Sequence, residues 1–283
     1  MRRSLSALAY AAFAVAALAV AAPSRTRPQD AAALLPHAPS TPVQGSVTAA
    51  RQGDVSILAY HRFGRTVNDS MTVRTAAFRT QLDYLKEHHH PVIPLRTLIS
   101  YLQGRSPAPP AGAVVITVDD GHQSVVTEML PLVREYNVPV TLFIYPSAIS
   151  NASYAMTWQQ IDALRKTGLF DIQSHTYWHP NFRTEKRRLS ATAYQTFATM
   201  QLVKPITVIE SKLGVRPDLI AWPFGIYDDE LIGVARQAGY AAGFTLDHRL
   251  VTPRERLMAL PRFLVTDSPA LRHFTSMLPQ VNR

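Results

Sequence analysis

Two adjacent carboxylates, Asp119 and Asp120, follow directly after a run of β-branched residues at positions 114–118. Such a run is typical of a central strand covered on both faces, and chemistry is usually placed at the end of such a strand. Adjacent carboxylates repel each other unless a cation or a reacting proton is present. Because Gly121 permits a sharp turn and Asp-Gly is also a hairpin signal, this stretch alone favours a functional site and a simple turn equally.

A pair of histidines provides the second set of chemically capable residues. His175 and His179 lie four positions apart, just past a predicted strand at 170–174, so one helical turn would place both rings on one face. Alone, two such residues are as consistent with unrelated surface histidines as with a metal site. Together with a carboxylate from the Asp pair, they would supply three protein ligands and leave positions open for water and substrate. That set is typical of a catalytic metal site and suits zinc, cobalt, nickel or iron.

The elements that must position these residues alternate along the chain. Short apolar runs with many β-branched residues alternate with amphipathic stretches, which predicts parallel βα units that close as a barrel of about seven strands. One long helical segment is predicted at 185–213, broken or kinked at Pro205. The main predicted strands lie at 55–61, 114–118, 139–145, 170–174, 219–221, 240–246 and 260–265, and a short strand is predicted at 92–93.

Composition limits the classes of function. The chain has 283 residues, 47% of them hydrophobic, which allows a sizeable core. It has no Cys, which excludes disulfides, thiolate ligands and a Cys nucleophile. The formal charge of +9 favours anionic surroundings such as a cell envelope or a membrane surface. No basic cluster is interleaved with aromatic residues, so we expect no nucleic-acid partner.

The chain start resembles an export signal. Arg2 and Arg3 precede an almost wholly apolar stretch at 5–20 and a small-residue cleavage site, which predicts a signal peptide at 1–22. An uncleaved membrane anchor is the alternative. Residues 23–53 are rich in Ala, Pro, Ser and Thr and predict a disordered linker. We therefore expect an exported protein, periplasmic, cell-surface or secreted, with one folded domain at 54–275, acting as a monomer.

The stretches Thr117-Val-Asp-Asp-Gly121 and Ser174-His-x-x-x-His-Pro180 together resemble the polysaccharide deacetylase family, also called NodB-homology or carbohydrate esterase family 4. The resemblance runs from residue 54 to about residue 270, in the family's motif order, and implies a distorted (β/α) barrel. Tyr60-His61-Arg-Phe resembles one branch, the exported poly-β-1,6-N-acetylglucosamine deacetylases of the intercellular adhesin type.

The resemblance implies a role for each motif residue. Asp119 would be the general base, and Asp120, His175 and His179 would bind one divalent metal ion. The stretch Trp222-Pro223-Phe224-Gly225 is similar to the family's third motif, from which the backbone N–H of Phe224 would stabilise the oxyanion. The rings of Trp222, Tyr177 or Trp178 would provide flat surfaces for sugars or simply pack in the core.

The chain also departs from the family pattern. Ala221 stands where the family has the Arg that holds the base, and Arg262 on the last strand is a candidate replacement. The last strand also lacks the family's usual general-acid His. His61 ends the first strand, which neighbours the last strand in a closed barrel, so we expect His61 to be the acid; the alternative is that it packs under Tyr60. His122 and His248 match no family role, and we expect them to be surface residues.

The implied activity is metal-dependent hydrolysis of the amide bond of N-acetyl groups on an N-acetylhexosamine polysaccharide, with release of acetate. Poly-β-1,6-N-acetylglucosamine is the expected substrate, and peptidoglycan or chitin-like oligomers are rival substrates. A rival of a different class is a glycan-binding module that keeps the fold but has lost turnover. Retention of Asp119 counts against that rival, because a binding module has no use for a base that is not a ligand.

Overall fold

The computed structural model describes residues 53–281. The predicted signal peptide at 1–22, and the predicted linker at 23–53 apart from Gly53, lie outside the described residues. None of the helices within 53–281 is long and apolar enough to span a membrane.

The nine described strands are β1 (Ser56–Tyr60), β2 (Arg62–Gly64), β3 (Thr72–Arg74), β4 (Val114–Val118), β5 (Val140–Ile144), β6 (Phe170–Ser174), β7 (Leu219–Ala221), β8 (Ala242–Phe244) and β9 (Phe263–Leu264). Seven of them form one curled parallel sheet in the order β8-β7-β6-β5-β4-β1-β9, and β2 and β3 form a separate small sheet. The chain around β9 brings the two edges of the large sheet together. Phe263 pairs with Leu58 of β1, while Leu260 bridges to Phe244 of β8, which gives a distorted (β/α) barrel.

Helices connect most successive strands of the seven-stranded sheet, as expected for parallel βα units. A π-helical turn at Val125–Met129 precedes α3. Side-chain caps begin several helices: Thr157 and Gln160 form a reciprocal capping box at α4, and Asp228 caps α7. The described α-helices are α1 (Thr75–Glu87), α2 (Leu95–Leu102), α3 (Leu130–Tyr136), α4 (Trp158–Lys166), α5 (Phe182–Arg188), α6 (Ala191–Leu213), α7 (Asp229–Ala238) and α8 (Leu271–Thr275).

The predicted break at Pro205 is wrong. Helix α6 runs continuously through Pro205, and the interruption lies at Leu189 and Ser190. Ser190 has an extended backbone and its hydroxyl accepts a hydrogen bond from the N–H of Ala193, so it begins a new helix. The short parallel pair β2 and β3 was also missed, because three-residue strands carry too little periodicity to be recognised in a sequence.

The sheet is covered on both faces, which explains the continuous apolar run in β4. The inner face contributes Ile57, Val115 and Phe143 to one buried cluster, while the outer face packs against the helices. Side chains alternate between the faces of a strand, so Thr117 and Asp119 follow Val115 on the inner face. The alternation of side chains along β4 therefore directs the carboxylate of Asp119 into the barrel.

Candidate metal centre and its surroundings

Three of the predicted site residues converge at the carboxyl ends of β4 and β6. Asp120, His175 and His179 each offer a ligand atom, and these atoms all lie within 4.8 Å of one another. The Nε2 atoms of His175 and His179 lie 3.7 and 3.8 Å from Oδ1 of Asp120. This Oδ1 is buried and has no hydrogen-bond partner among the described residues. A buried carboxylate oxygen without a partner is costly, so its position fits one that a cation would satisfy.

The fold also sets the imidazole nitrogens for metal binding. Nδ1 of His175 donates to the carbonyl oxygen of Ala221, at the end of β7, over 2.8 Å, which leaves the Nε2 lone pair directed at the site. Burial, with a smaller effect of His175, lowers the pKa of His179 to about 4, so its ring is neutral near pH 7. Two imidazoles and one carboxylate match the donor set of a catalytic zinc-type site.

Strained backbone is concentrated at this centre. Seven described non-glycine residues have positive φ, and four of them, Asp120 (74°), Thr176 (67°), His179 (63°) and Phe224 (58°), lie in the motif stretches. Side chains with a Cβ rarely occupy this region, and such strain persists only where the surroundings enforce it. Two of the three ligands thus depend on a supported loop conformation.

The loop at 175–179 is supported by buried side chains. The N–H of Trp178 donates to Oε1 of Gln201 on α6 over 3.1 Å, and the N–H of His179 donates to the hydroxyl of Thr176 over 3.1 Å. The hydroxyl of Ser174 accepts from the N–H of Thr176, and it is itself fixed by a bond from the hydroxyl of Tyr240. Gln201 is fully buried, so its amide holds the loop without contact with solvent.

We expect Gln201→Leu to weaken divalent-metal binding on the order of tenfold, the scale found when outer partners of metal ligands are removed. Leucine has a similar size but leaves the Trp178 N–H without its acceptor, so the strained loop loses a restraint. Metal dissociation constants from competition with a chelator measure the effect. Gln195→Leu, on an exposed position of the same helix, is the matched control, and equal affinities in both variants would contradict the role of Gln201.

The inner carboxylate, Asp119, is paired with the predicted candidate Arg262. Nη1 and Nη2 of Arg262 donate to Oδ1 and Oδ2 of Asp119 over 2.9 and 2.7 Å, and both side chains are almost fully buried. Further bonds to the Thr117 hydroxyl and the Thr245 carbonyl fix the guanidinium plane. Burial raises the pKa of Asp119, but the Arg262 charge outweighs it and holds the pKa well below its usual range. Asp119 is therefore ionised at neutral pH, with its oxygens in one orientation.

The predicted acid, His61, lies at the end of β1 beside this pair. The Asp119 N–H donates to the carbonyl of Tyr60 over 2.9 Å, while the Tyr60 ring packs among the outer-face residues and its hydroxyl donates to Gln81. Burial lowers the pKa of His61, and the charges of Asp119 and Asp120 partly oppose this shift. Its Nδ1 is buried and finds no hydrogen-bond partner within 53–281. The ring thus shares the electrostatic environment of the site, and its role as acid stays a prediction.

The third-motif residues take different positions. Phe224 is exposed, and its ring lies 4.6 Å from that of His179, while Pro223 is buried. Trp222 is fully buried and its indole N–H donates to the carbonyl of Met258, so the expectation that it stacks on sugars is wrong. Its alternative, packing in the core, is what the structure shows. The oxyanion role of the Phe224 N–H stays a prediction.

Tyr145 was not anticipated from the sequence. It follows directly after β5, with its ring 5.5 Å from His179 and 6.4 Å from His175, and its hydroxyl is hydrogen-bonded to that of Tyr154. Burial raises the pKa of Tyr145, so the phenol stays protonated. The sequence did offer one indication that Tyr145 lies near the site. It comes one residue after a strand, and the carboxyl ends of parallel strands meet at one edge of the sheet.

Comparison with known proteins gives this site a family context. The polysaccharide deacetylase family profile matches residues 106–243. The poly-beta-1,6-N-acetyl-D-glucosamine N-deacetylase of Escherichia coli is 26% identical over 285 residues, a match that covers 89% of this chain and 41% of that protein. The chain thus spans less than half the length of this relative. The protein of the same name from Staphylococcus epidermidis is 25% identical over 201 residues, covering 69% of this chain and 68% of the relative.

Solved structures share the fold. The Streptococcus pyogenes deacetylase PplD in complex with acetate superimposes with a TM-score of 0.70 at 19% identity, over 81% of this chain and 99% of that chain. IcaB from Ammonifex degensii gives 0.69 at 22% identity, over 83% and 100%. The Asp119-Asp120 and His175-His179 motifs both lie inside the matched segment, on the barrel that these structures share. Residues 106–243 of this chain therefore match the polysaccharide deacetylase family, and its fold is the one that these solved structures share.

Proposed function

We propose that this protein is an exported, metal-dependent polysaccharide N-deacetylase that hydrolyses N-acetyl groups of poly-β-1,6-N-acetylglucosamine and releases acetate. The observation that carries the proposal is the pairing of two functions at neighbouring residues. Asp120 joins two histidines in a convergent ligand set, while Asp119 is held ionised by Arg262 and is left out of that set. A metal-binding module without turnover needs only the first of these arrangements.

The roles of the chain's own residues follow from this geometry. When bound, a divalent cation would polarise the acetyl carbonyl and acidify a water molecule, which a base as weak as Asp119 requires. Asp119 takes a proton from the attacking water, and Arg262 keeps its carboxylate oriented. The Phe224 N–H donates to the developing oxyanion. His61, once protonated, gives a proton to the leaving nitrogen, so that the C–N bond breaks, the water oxygen joins the acyl carbon, and acetate and an amine leave.

The names of the relatives support the choice of glycan, and the composition supports the setting. Two relatives are poly-β-1,6-N-acetylglucosamine N-deacetylases, and the Tyr60-His61 stretch resembles the same branch. The basic charge suits an anionic envelope. Peptidoglycan and chitin oligomers are the competing substrates, and a glycan-binding module is the competing class of function.

The decisive experiment measures acetate release from a panel of N-acetylated glycans by metal-stripped protein reloaded with zinc, cobalt, nickel or iron. We expect release from the β-1,6-linked polymer and one metal ion per chain. His175→Ala and His179→Ala should lower metal affinity by about a hundredfold or more, because each removes a direct ligand. His248→Ala, at an exposed residue, is the control and should retain the metal.

Two outcomes would contradict the proposal. Stoichiometric metal in both ligand variants would place the metal elsewhere. Glycan binding without acetate release, under every metal condition, would identify a binding module instead of an enzyme.

A further inference from the structure

One side of the metal centre carries residues that the mechanism above does not use. Arg62 opens β2, His122 follows the Asp-Gly turn, and Tyr154 lies on the loop after β5. The rings of His122 and Tyr154 are stacked at 6.1 Å with an interplanar angle of 11°. The N–H of Gln123 donates to the Tyr154 carbonyl over 2.9 Å, so the two loops are joined. We call Arg62, His122 and Tyr154 the side wall.

Arg62 is tied to the same wall through its neighbour Phe63. The Phe63 N–H donates to the Ser124 hydroxyl over 2.9 Å, and this hydroxyl lies 2.8 Å from Nδ1 of His122. The Ser124 N–H also donates to that Nδ1, which assigns the proton of a neutral His122 ring to Nε2. His122 is half-buried, and these bonds hold its ring in one orientation.

The polar groups of the side wall suit a neutral, hydroxyl-rich ligand. Arg62 is paired with Asp69 at 2.5 Å, so its charge is already balanced. Its side chain is still 35% exposed, so the guanidinium offers a donor to a ligand. Nε2–H of His122 adds a second donor. Hydrogen-bonding groups next to an aromatic face can bind the hydroxyls of a sugar ring. An anionic ligand, in contrast, would be repelled by the Asp69 carboxylate.

Exposed aromatic side chains point to the same class of ligand. Within residues 53–281, the exposed Phe, Tyr and Trp side chains are Tyr154 (38%), Trp178 (48%) and Phe224 (57%). Two of the three have contacts that lead to the metal ligands, and the third precedes His179 in the chain. Trp178 lies between the two histidines in sequence, Phe224 contacts His179, and Tyr154 is bonded to Tyr145. Apolar faces gathered at one place on a surface mark a binding site, and sugar rings present matching apolar faces.

A single side chain, that of Tyr145, lies between the side wall and the metal ligands. The Tyr145 ring faces His179, and its hydroxyl reaches Tyr154 on the far side. A sugar on Tyr154 would therefore neighbour the sugar whose acetamido group is at the metal. We propose that Arg62, His122 and Tyr154 form a second sugar subsite, which binds a neutral N-acetylhexosamine unit adjacent to the unit that is deacetylated. This inference rests on the proposed function, because it takes a polymer as the ligand.

The test compares β-1,6-linked N-acetylglucosamine oligomers of four or five units with the methyl glycoside of a single unit. We expect Tyr154→Ala and Arg62→Gln to lower kcat/KM for the oligomers through KM, and to lower the ratio of oligomer to monomer kcat/KM on the order of tenfold, the loss expected for one contact. Val67→Ala, at an exposed residue between β2 and β3, is the control and should leave the ratio unchanged. An unchanged ratio in Tyr154→Ala and Arg62→Gln would overturn the subsite.

Calorimetric titration of the same oligomers into metal-free protein separates this inference from the proposed function. If no glycan releases acetate, the proposed function fails, yet binding that is about tenfold weaker in Tyr154→Ala than in the wild type still supports the subsite. Equal affinity, or no binding to the wild type, overturns it. Tighter binding of a uronic-acid oligomer than of the neutral one would also overturn it, because the side wall would then select anions.

Discussion

Asp119→Asn should lower the rate of acetate release by about a hundredfold or more and leave the metal content at the wild-type value. The amide has nearly the shape of the carboxylate but cannot accept a proton from water near neutral pH. The metal ligands are untouched, because Asp119 is not one of the three converging residues. Initial rates and metal analysis on the same preparation measure both quantities. Normal activity in this variant would place the base elsewhere.

Asp119→Asn should also be less stable than the wild type, an effect that the Asp119-Asp120 motif by itself does not indicate. Arg262 is fully buried, and Asp119 accepts both of its terminal N–H groups, so the amide leaves a buried charge without a counter-charge. Removing one partner of a buried pair costs about 3–5 kcal/mol of unfolding free energy. The double variant Asp119→Asn, Arg262→Gln removes the unpaired charge. It should recover much of the stability and none of the activity, which separates the two effects of Asp119.

The comparison of stabilities is best made at pH 7. The folded-state pKa of Asp119 lies below the unfolded value of about 3.9, so the ionised pair contributes its full stabilisation above that pH. The contribution is lost only as the pH falls toward the folded-state pKa. Differences measured at pH 7 therefore report the whole effect of the pair.

His61→Ala should lower turnover by roughly a hundredfold without loss of metal, because an amine is a poor leaving group unless it receives a proton. The buried Nδ1 without a partner and the nearby charges of Asp119 and Asp120 motivate the prediction. Since burial keeps the resting imidazole neutral, it must receive a proton before it delivers one. Rates and metal content of the variant are the measurements.

Chemical rescue distinguishes this role from packing. The alanine leaves a space of imidazole size, so added imidazole should restore part of the activity of His61→Ala and none of that of Asp119→Asn. His248→Ala serves as the matched control. Full activity of His61→Ala would refute the placement of the acid on the first strand.

The fold class and the convergence of the three candidate ligands could be predicted from the sequence, because both depend on local patterns. The β-branched run at 114–118 and the alternation of strands and helices sufficed for a parallel barrel. The strand ends then brought Asp120 close to His175 and His179, because the carboxyl ends of parallel strands meet at one edge. The adjacency of first and last strands was likewise predictable from closure, and β1 does pair with β9.

Other contacts of the site depend on the fold as a whole. The absence of the family's Arg at Ala221 made Arg262 a candidate to hold Asp119, but only the fold brings these two residues, 143 positions apart, into hydrogen-bond contact. Trp222 has the look of a sugar platform in its motif, yet packing against α6 and α7 buries it completely. Helix α6 continues through Pro205 because tertiary contacts around its buried residues outweigh the local cost of proline. Tyr145 and Gln201 reach the centre only through the curvature of the sheet and the docking of a helix, which are sums of many weak contacts that no short stretch of sequence contains.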